Sequence, residues 1–169
     1  MKKAVIVHLA AISALLLLTS PGILGESGAK LLPASLVFSD QAGPIPGVDL
    51  IQAGELAKLL TASPAERPLL IQVGSHVLYE QAHIPGSEYI GPADSAAGLG
   101  RLRQRLQPVT RKKFIVLYCG CCPWSHCPNI KPAWDMARSM GFSKIKALYI
   151  ADNFGADWLD KGYPVAKGD

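Results

Sequence analysis

All four cysteines of the 169-residue chain lie between positions 119 and 127, at Cys119, Cys121, Cys122 and Cys127. We refer to them as the thiol cluster. Disulfides that stabilise a fold usually join segments distant in sequence, which cysteines this close together cannot do. A cysteine thiolate is both a nucleophile and a ligand for soft metal ions. The thiol cluster therefore indicates a local chemical site, and His126 adds a group that could act as a base or a ligand.

Cys119 has the position expected of a nucleophile. It directly follows the apolar run at residues 114–118, which predicts a buried strand. The loop after it leads into a predicted helix at about residues 129–140, with Asn129 as the N-cap and Gly141 as the stop. Backbone N–H groups of the loop and the positive end of the helix dipole should favour a thiolate there. The sequence thus predicts a lowered pKa for Cys119.

The other members of the thiol cluster leave three roles open. In a thiol relay, Cys121 or Cys127 would attack an oxidised or persulfidated Cys119 to form a disulfide. In a metal site, three or four thiolates, with His126 as a further ligand, would hold Cu(I) or Zn(II). In a catalytically silent scaffold, two local disulfides would close the loop. The spacing of the cysteines matches neither a paired Cys-x-x-Cys zinc motif nor a thioredoxin motif.

The rest of the chain predicts the scaffold that positions these residues. Apolar runs at 69–73, 114–118 and 145–150 indicate strands covered on both faces, and residues 48–51 indicate a shorter one. Helical periodicity appears at 54–60, 98–106 and 129–140. Strands that alternate with helices predict an α/β fold, with a central, mainly parallel sheet flanked by helices on both faces. Ligands of such sheets bind at the carboxyl ends of the strands, where Cys119 lies.

The N-terminus predicts export. Two lysines and an apolar stretch at residues 4–18 precede small and helix-breaking residues, which is the layout of a secretory signal peptide over residues 1–25. Residues 26–47 are predicted to be a loosely ordered lead-in, and residues 48–169 a single domain. We expect a periplasmic or secreted protein with no stable membrane insertion after cleavage. Removal of residues 1–25, with their two lysines, would lower the net charge from +4 to +2. This charge is too small to favour nucleic acid as a partner, and the basic residues do not alternate with aromatic ones.

Three segments in this order resemble the rhodanese-like family of sulfurtransferases. Residues 70–73, followed by the sequence His83-Ile84-Pro85-Gly86-Ser87, are similar to a family strand and its turn. Residues 115–119 are similar to the strand that leads into the catalytic cysteine, and residues 155–158 with 162–165 to the closing segment. The resemblance implies that Cys119 takes a sulfane sulfur from a donor, holds it as a persulfide, and passes it to an acceptor. His83 is expected to be structural, through a hydrogen bond that fixes its turn.

The chain differs from the family pattern at two places. Gln72-Val73-Gly74 stands where the family usually has Asp-Val-Arg, and the loop after Cys119 is longer and contains no arginine. His126 and Lys131 are the nearby cations in sequence. The prediction is therefore an exported sulfurtransferase or thiol relay, with a small sulfur donor, a thiol or protein acceptor, and no cofactor. The alternative is a binding module for a soft metal ion at the thiol cluster, or a non-catalytic binding module there.

Overall fold

The computed structural model describes residues 45–168. The predicted signal peptide and nearly all of the lead-in lie outside the described residues, so both stay predictions. The strands are β1 (Leu50–Ile51), β2 (Leu69–Gln72), β3 (Glu88–Tyr89), β4 (Ile115–Tyr118) and β5 (Ile145–Leu148). The helices are α1 (Ala53–Leu60), α2 (His76–Gln81), α3 (Ala96–Leu106) and α4 (Ile130–Ser139). A 3₁₀ turn covers Trp124–His126 and a π-helical turn covers Gly155–Leu159. Within this described range, no helix has the length and apolar character that crossing a membrane requires.

The strands form one parallel sheet in the order β1-β5-β4-β2-β3. The central strand β4 pairs with β2 from Leu69↔Ile115 to Gln72↔Tyr118, and with β5 from Ile115↔Ile145 to Leu117↔Ala147. Parallel neighbours need crossover connections, which the helices supply. The predicted α/β fold is confirmed.

Side chains alternate between the two faces of the sheet and build two separate cores. On one face, strand residues such as Ile71 and Leu117 pack against α3 and α4. On the other face, Leu70 and Val116 pack against α1 and the π-helical turn. Burial on both faces explains why β2 and β4 are nearly continuous apolar runs rather than alternating ones. Helices therefore cover both faces, as predicted.

The elements that the sequence did not predict are the short ones. Helix α2 has 6 residues and strand β3 has 2, so neither carries a full period of apolar positions. The turn between them is held by His83, whose Nδ1 lies 2.9 Å from the carbonyl oxygen of Tyr79 and whose ring stacks on the Tyr79 ring. This structural role of His83 was predicted.

Candidate active site: a thiol cluster at the end of β4

Cys119 directly follows β4, and three members of the thiol cluster meet there. The Sγ atoms of Cys119 and Cys121 lie 3.0 Å apart, and those of Cys121 and Cys122 lie 3.5 Å apart. The three Sγ atoms all lie within 4.8 Å of one another. All four cysteines are free thiols, with Cys119 buried and the other three half-buried. In this structure three sulfurs form a contiguous group, and no disulfide joins any of the four cysteines.

A sharp turn after Cys119 makes this approach of the sulfurs geometrically feasible. Gly120 has a φ of +78°, which only glycine adopts without strain. A Cβ at this position would also lie 2.8 Å from the Cβ of Phe154. Gly120 thus turns the chain towards Cys121 while leaving room for Phe154 beside the loop.

Gln72 supports the loop from β2, the neighbouring strand. Its side chain is buried, its Nε2 donates to the carbonyl oxygen of Cys119 at 3.2 Å, and its Oε1 accepts from the N–H of Gly74 at 3.1 Å. Gly74 leaves room for the Cys119 sulfur, because a Cβ at position 74 would lie 2.7 Å from the Cys119 Sγ. The substitutions that separate this chain from the family pattern therefore build a support of their own. A polar residue inside an otherwise apolar strand was the signal that could have identified Gln72.

Asn129 differs in its role from the sequence prediction. It precedes α4, as an N-cap residue would, but its side chain makes no capping hydrogen bond. Instead its Oδ1 accepts from the N–H of Asp94 at 3.0 Å, and its Nδ2 donates to the Sγ of Cys119 at 3.5 Å. The Nδ2 also lies 4.0 Å from the Sγ of Cys121. Asn129 is therefore the N-cap residue of α4 by position, as predicted, but its side chain contacts the thiol cluster instead of capping the helix.

For Cys119 the direction of the pKa shift in this structure is opposite to the predicted one. The pKa of the Cys119 thiol is raised, chiefly by its hydrogen-bond contacts with the sulfurs of Cys121 and Cys127 and also by its burial. The same contacts lower the pKa of Cys121 to about 6 and that of Cys127 to about 7. Partial burial raises the pKa of Cys122 to about 12. These directions favour the thiolate form of Cys121 and Cys127 and the protonated form of Cys119.

Backbone N–H groups add to the effect of Cys119, which is the largest cause of the lowered pKa values of Cys121 and Cys127. The amides of Asn129 and Ile130, at the start of α4, favour the thiolate of Cys127 and so lower its pKa. The amides of Cys121 and Ser75 do the same for the pKa of Cys121. The loop after Cys119 is long enough that the helix N-terminus faces Cys127 rather than Cys119.

His126 does not join the cluster. It is exposed, its Nδ1 lies 2.8 Å from the hydroxyl of Ser125, and the sulfur group of the described residues does not include it. Lys131 is exposed and pairs with Asp135 at 2.6 Å. Neither of these two residues, which are the cations nearest to the loop in sequence, joins the sulfur group of the described residues.

Trp124, in the same loop, packs in the core with its ring against Tyr149 and is 2% exposed.

A cavity of about 450 Å³ adjoins the thiol cluster and is lined by both Cys119 and Cys121. Its remaining lining includes residues from α2, from the π-helical turn and from the C-terminal segment. A small molecule in this cavity would contact the pair of sulfurs that lie closest together. The arrangement can present a sulfur nucleophile to a bound ligand.

The family model of the rhodanese-like domain matches residues 52–150, which is more than half of the chain. The chain therefore belongs to the rhodanese-like domain family. The match contains β2, β4 and the whole thiol cluster, and the position of Cys119 at the end of β4 agrees with the resemblance found in the sequence.

The individual proteins that this chain resembles share less than a third of its residues in the aligned regions. The chain is 29% identical over 160 residues to the HTH-type transcriptional regulator Rv0324 of Mycobacterium tuberculosis, covering 87% of this chain and 65% of that protein's length. The Alr3790 protein from Anabaena has a similar structure, with a TM-score of 0.53, 19% identity, and coverage of 69% of this chain and 82% of that one. The single-domain sulfurtransferase RDL2 of Saccharomyces cerevisiae gives a TM-score of 0.51 at 17% identity, covering 71% and 95%. At these identities the two structures support the fold.

Proposed function

We propose that this protein is an exported sulfurtransferase that carries a sulfane sulfur as a persulfide on Cys119 and releases it with the help of Cys121. One observation carries the proposal. Cys119 stands at the end of the central strand of a rhodanese-like fold, lines a ligand-sized cavity, and contacts the Sγ of Cys121 at 3.0 Å.

In the first step Cys121 activates Cys119. The Cys121 thiolate accepts the Cys119 proton across their contact, and the Cys119 sulfur attacks the sulfane sulfur of a bound donor. A new S–S bond forms on Cys119, the S–S bond of the donor breaks, and its electron pair leaves with the rest of the donor. The Cys121 pKa of about 6 keeps this residue ionised near neutral pH. Because the resulting thiolate is a weak base, the Cys119 proton moves to it as the new S–S bond forms rather than in a separate earlier step.

In the second step the stored sulfur is released. The Cys121 thiolate attacks the inner sulfur of the Cys119 persulfide, which gives a Cys119–Cys121 disulfide and hydrosulfide. Alternatively an external thiolate attacks the outer sulfur, becomes a persulfide itself, and leaves Cys119 reduced. The proposed partners are therefore a small sulfur donor and a thiol or protein acceptor. Export is proposed from the N-terminal sequence of residues 1–25.

Mass spectrometry of the reduced protein after incubation with polysulfide tests this mechanism. We expect one added sulfur on the peptide that contains Cys119, and none in Cys119→Ser. Cys121→Ser should load more slowly near pH 7, because it lacks the proton acceptor, but should keep its persulfide longer, because it lacks the resolving thiolate. Ser125→Ala is the matched control, since Ser125 is exposed in the 3₁₀ turn of the same loop, its side chain contacts only His126 among the hydrogen bonds of the described residues, and neither proposed step uses it. Loading of Cys119→Ser equal to that of the wild type would refute the assignment.

A second candidate function is the binding of a soft metal ion. Three Sγ atoms within 4.8 Å of one another form a trigonal set of the kind that Cu(I) accepts after small side-chain movements. Titration of the reduced protein with Cu(I) against a chromogenic chelator tests this function. Stoichiometric binding that Cys119→Ser, Cys121→Ser and Cys122→Ser each weaken, in a protein that takes up no sulfur, would favour metal binding over sulfur transfer.

A further inference from the structure

The cavity beside the thiol cluster is larger than an inorganic sulfur donor needs. Its volume of about 450 Å³ lies in the range of about 300–1,000 Å³ that is typical of sites for organic ligands. A small anion such as thiosulfate would fill only a minor part of it. Size therefore favours a donor with an organic body.

One side of the cavity is apolar. Leu78, Phe154 and Leu159 line it, and the two leucines keep 39% and 37% of their surface exposed. The ring of Phe154 is held in place by stacking against Tyr118 and Trp158, with centroid distances of 5.9 Å to each. A preformed apolar wall of this kind gains free energy when a ligand covers it.

Among the residues of the described range 45–168 that line the cavity, the one cation is Lys167. The backbone on both sides of Lys167 is attached to neighbouring elements. Ala166 exchanges two backbone hydrogen bonds with His83, at 2.9 and 3.0 Å, and the N–H of Gly168 donates to the carbonyl oxygen of Glu80 at 2.8 Å. These bonds fix the backbone of Lys167, an exposed residue, at the edge of the cavity that the thiol cluster also lines.

Lys167 attracts an anion, but Cys121 lines the same cavity and repels one when it is a thiolate, so a ligand with one negative charge suits the cavity better than a dianion. Thiosulfate carries two negative charges and no apolar surface, so it would leave the wall uncovered and one charge without a cation. A donor with one negative charge and an apolar body would use both features of the cavity.

From this arrangement we infer that the cavity selects an organic sulfane-sulfur donor with one negative charge and an apolar body. Lys167 and the wall formed by Leu78, Phe154 and Leu159 determine this specificity. The inference rests on the proposed sulfur-transfer function. With an organic thiosulfonate as donor, the Cys119 thiolate forms an S–S bond to the sulfane sulfur, the S–S bond of the donor breaks, and the electron pair leaves with the sulfinate. The products are the Cys119 persulfide and the sulfinate, so the step needs no external oxidant.

Three donors separate charge from apolar surface: thiosulfate, methanethiosulfonate and benzenethiosulfonate. The measurement is the rate of Cys119 persulfide formation in the reduced protein at limiting donor. Each rate is divided by the rate of the same donor with a small thiol in solution, which removes differences in intrinsic reactivity. We expect benzenethiosulfonate to exceed methanethiosulfonate by about tenfold because burial of its ring lowers the barrier. Thiosulfate should be the slowest of the three.

Variants then assign the specificity to residues. Leu159→Asn should reduce the preference for the aromatic donor about threefold, with little change for methanethiosulfonate. Lys167→Met should slow both thiosulfonates about fivefold and weaken the dependence of their rates on salt. Lys112→Met, an exposed lysine at the amino end of β4, is the matched control and should change neither rate.

The wild-type comparison decides the inference even if a variant fails to fold. Equal corrected rates for all three donors, or thiosulfate as the fastest, would overturn the specificity and leave sulfur transfer intact. Failure of every donor, polysulfide included, to load Cys119 would overturn both the specificity and the proposed function.

Discussion

Replacement of Gln72 by leucine should destabilise the fold through two backbone groups at the site. Gln72 is 2% exposed, and its side-chain amide pairs with the carbonyl oxygen of Cys119 and with the N–H of Gly74. Leucine has a similar volume and fits an apolar strand, but it can neither donate nor accept a hydrogen bond. Gln72→Leu therefore leaves both backbone groups without these partners.

The size of the effect follows from these two bonds. A buried polar group that loses its hydrogen bond costs about 1–3 kcal/mol, so two such groups predict a loss of about 2–6 kcal/mol. The third contact of Gln72, from Nε2 to the carbonyl oxygen of Ser75, is 3.5 Å long and adds little. Increased apolar burial by leucine offsets about 1 kcal/mol. The expected net loss is about 1–5 kcal/mol.

Urea denaturation of the fully reduced protein measures this loss. With an m-value of about 1–3 kcal/mol per molar urea, the unfolding midpoint should fall by about 1 M. Gln104→Leu is the control, because Gln104 is exposed on α3 and its replacement should change the midpoint little. An equal midpoint for Gln72→Leu and Gln104→Leu would refute the supporting role of Gln72.

Two further predictions concern the sulfurs themselves. Alkylation of Cys121 by iodoacetamide should increase as pH rises through about 6, and that of Cys127 through about 7, because their lowered pKa values make the thiolates available there. Peptide mapping across pH 5 to 9 measures this alkylation. Alkylation of Cys119 ahead of both would contradict the proposed charge distribution. Gly74→Ala should slow persulfide loading of Cys119 by about tenfold or more, because the added Cβ would lie 2.7 Å from the Cys119 Sγ and overpacking costs about 1–3 kcal/mol. An unchanged loading rate in a folded Gly74→Ala protein would show that Gly74 does not restrict the position of this sulfur.

The sheet was predictable because strands that are buried on both faces consist mainly of apolar residues. Strands β2, β4 and β5 lie in mainly apolar runs, and α3 and α4 show apolar residues at helical spacing. Position along β4 was then enough to place Cys119 at the carboxyl end of the sheet. Each of these patterns lies within one short segment, so it can be recognised without knowing which distant residues the segment contacts.

Contacts between distant segments were not predictable in this way. The hydrogen bond from Gln72 to Cys119 joins residues 47 positions apart, and nothing in the sequence of either segment indicates the other. Lys167 enters the lining of the cavity only because the C-terminal segment pairs with the turn after α2. Lys131 is much nearer to the loop in sequence than Lys167, but it lies in an exposed pair with Asp135 instead of lining the cavity.

The charge of the site was predicted for the wrong sulfur because of loop length. A helix N-terminus favours a thiolate only within about one turn, and here its amides reach Cys127. Placement of a cysteine at the end of a strand is therefore not enough to predict its pKa. The position of every other sulfur and amide in the loop must be known.

This distribution of charge has a consequence for how the proposed enzyme would operate after export. A thiolate on Cys121 at 3.0 Å from the Cys119 sulfur is placed to form a disulfide with it whenever an oxidant is present. In an oxidising compartment the pair would then rest as a disulfide, in which Cys119 cannot accept a sulfur. Each release of hydrosulfide through Cys121 would leave the same disulfide. A site at rest as the disulfide would therefore need a thiol reductant before it could accept sulfur. Turnover by hydrosulfide release would need that reductant in every cycle, whereas transfer to an external thiolate leaves Cys119 reduced, so the supply of reductant would favour one route over the other.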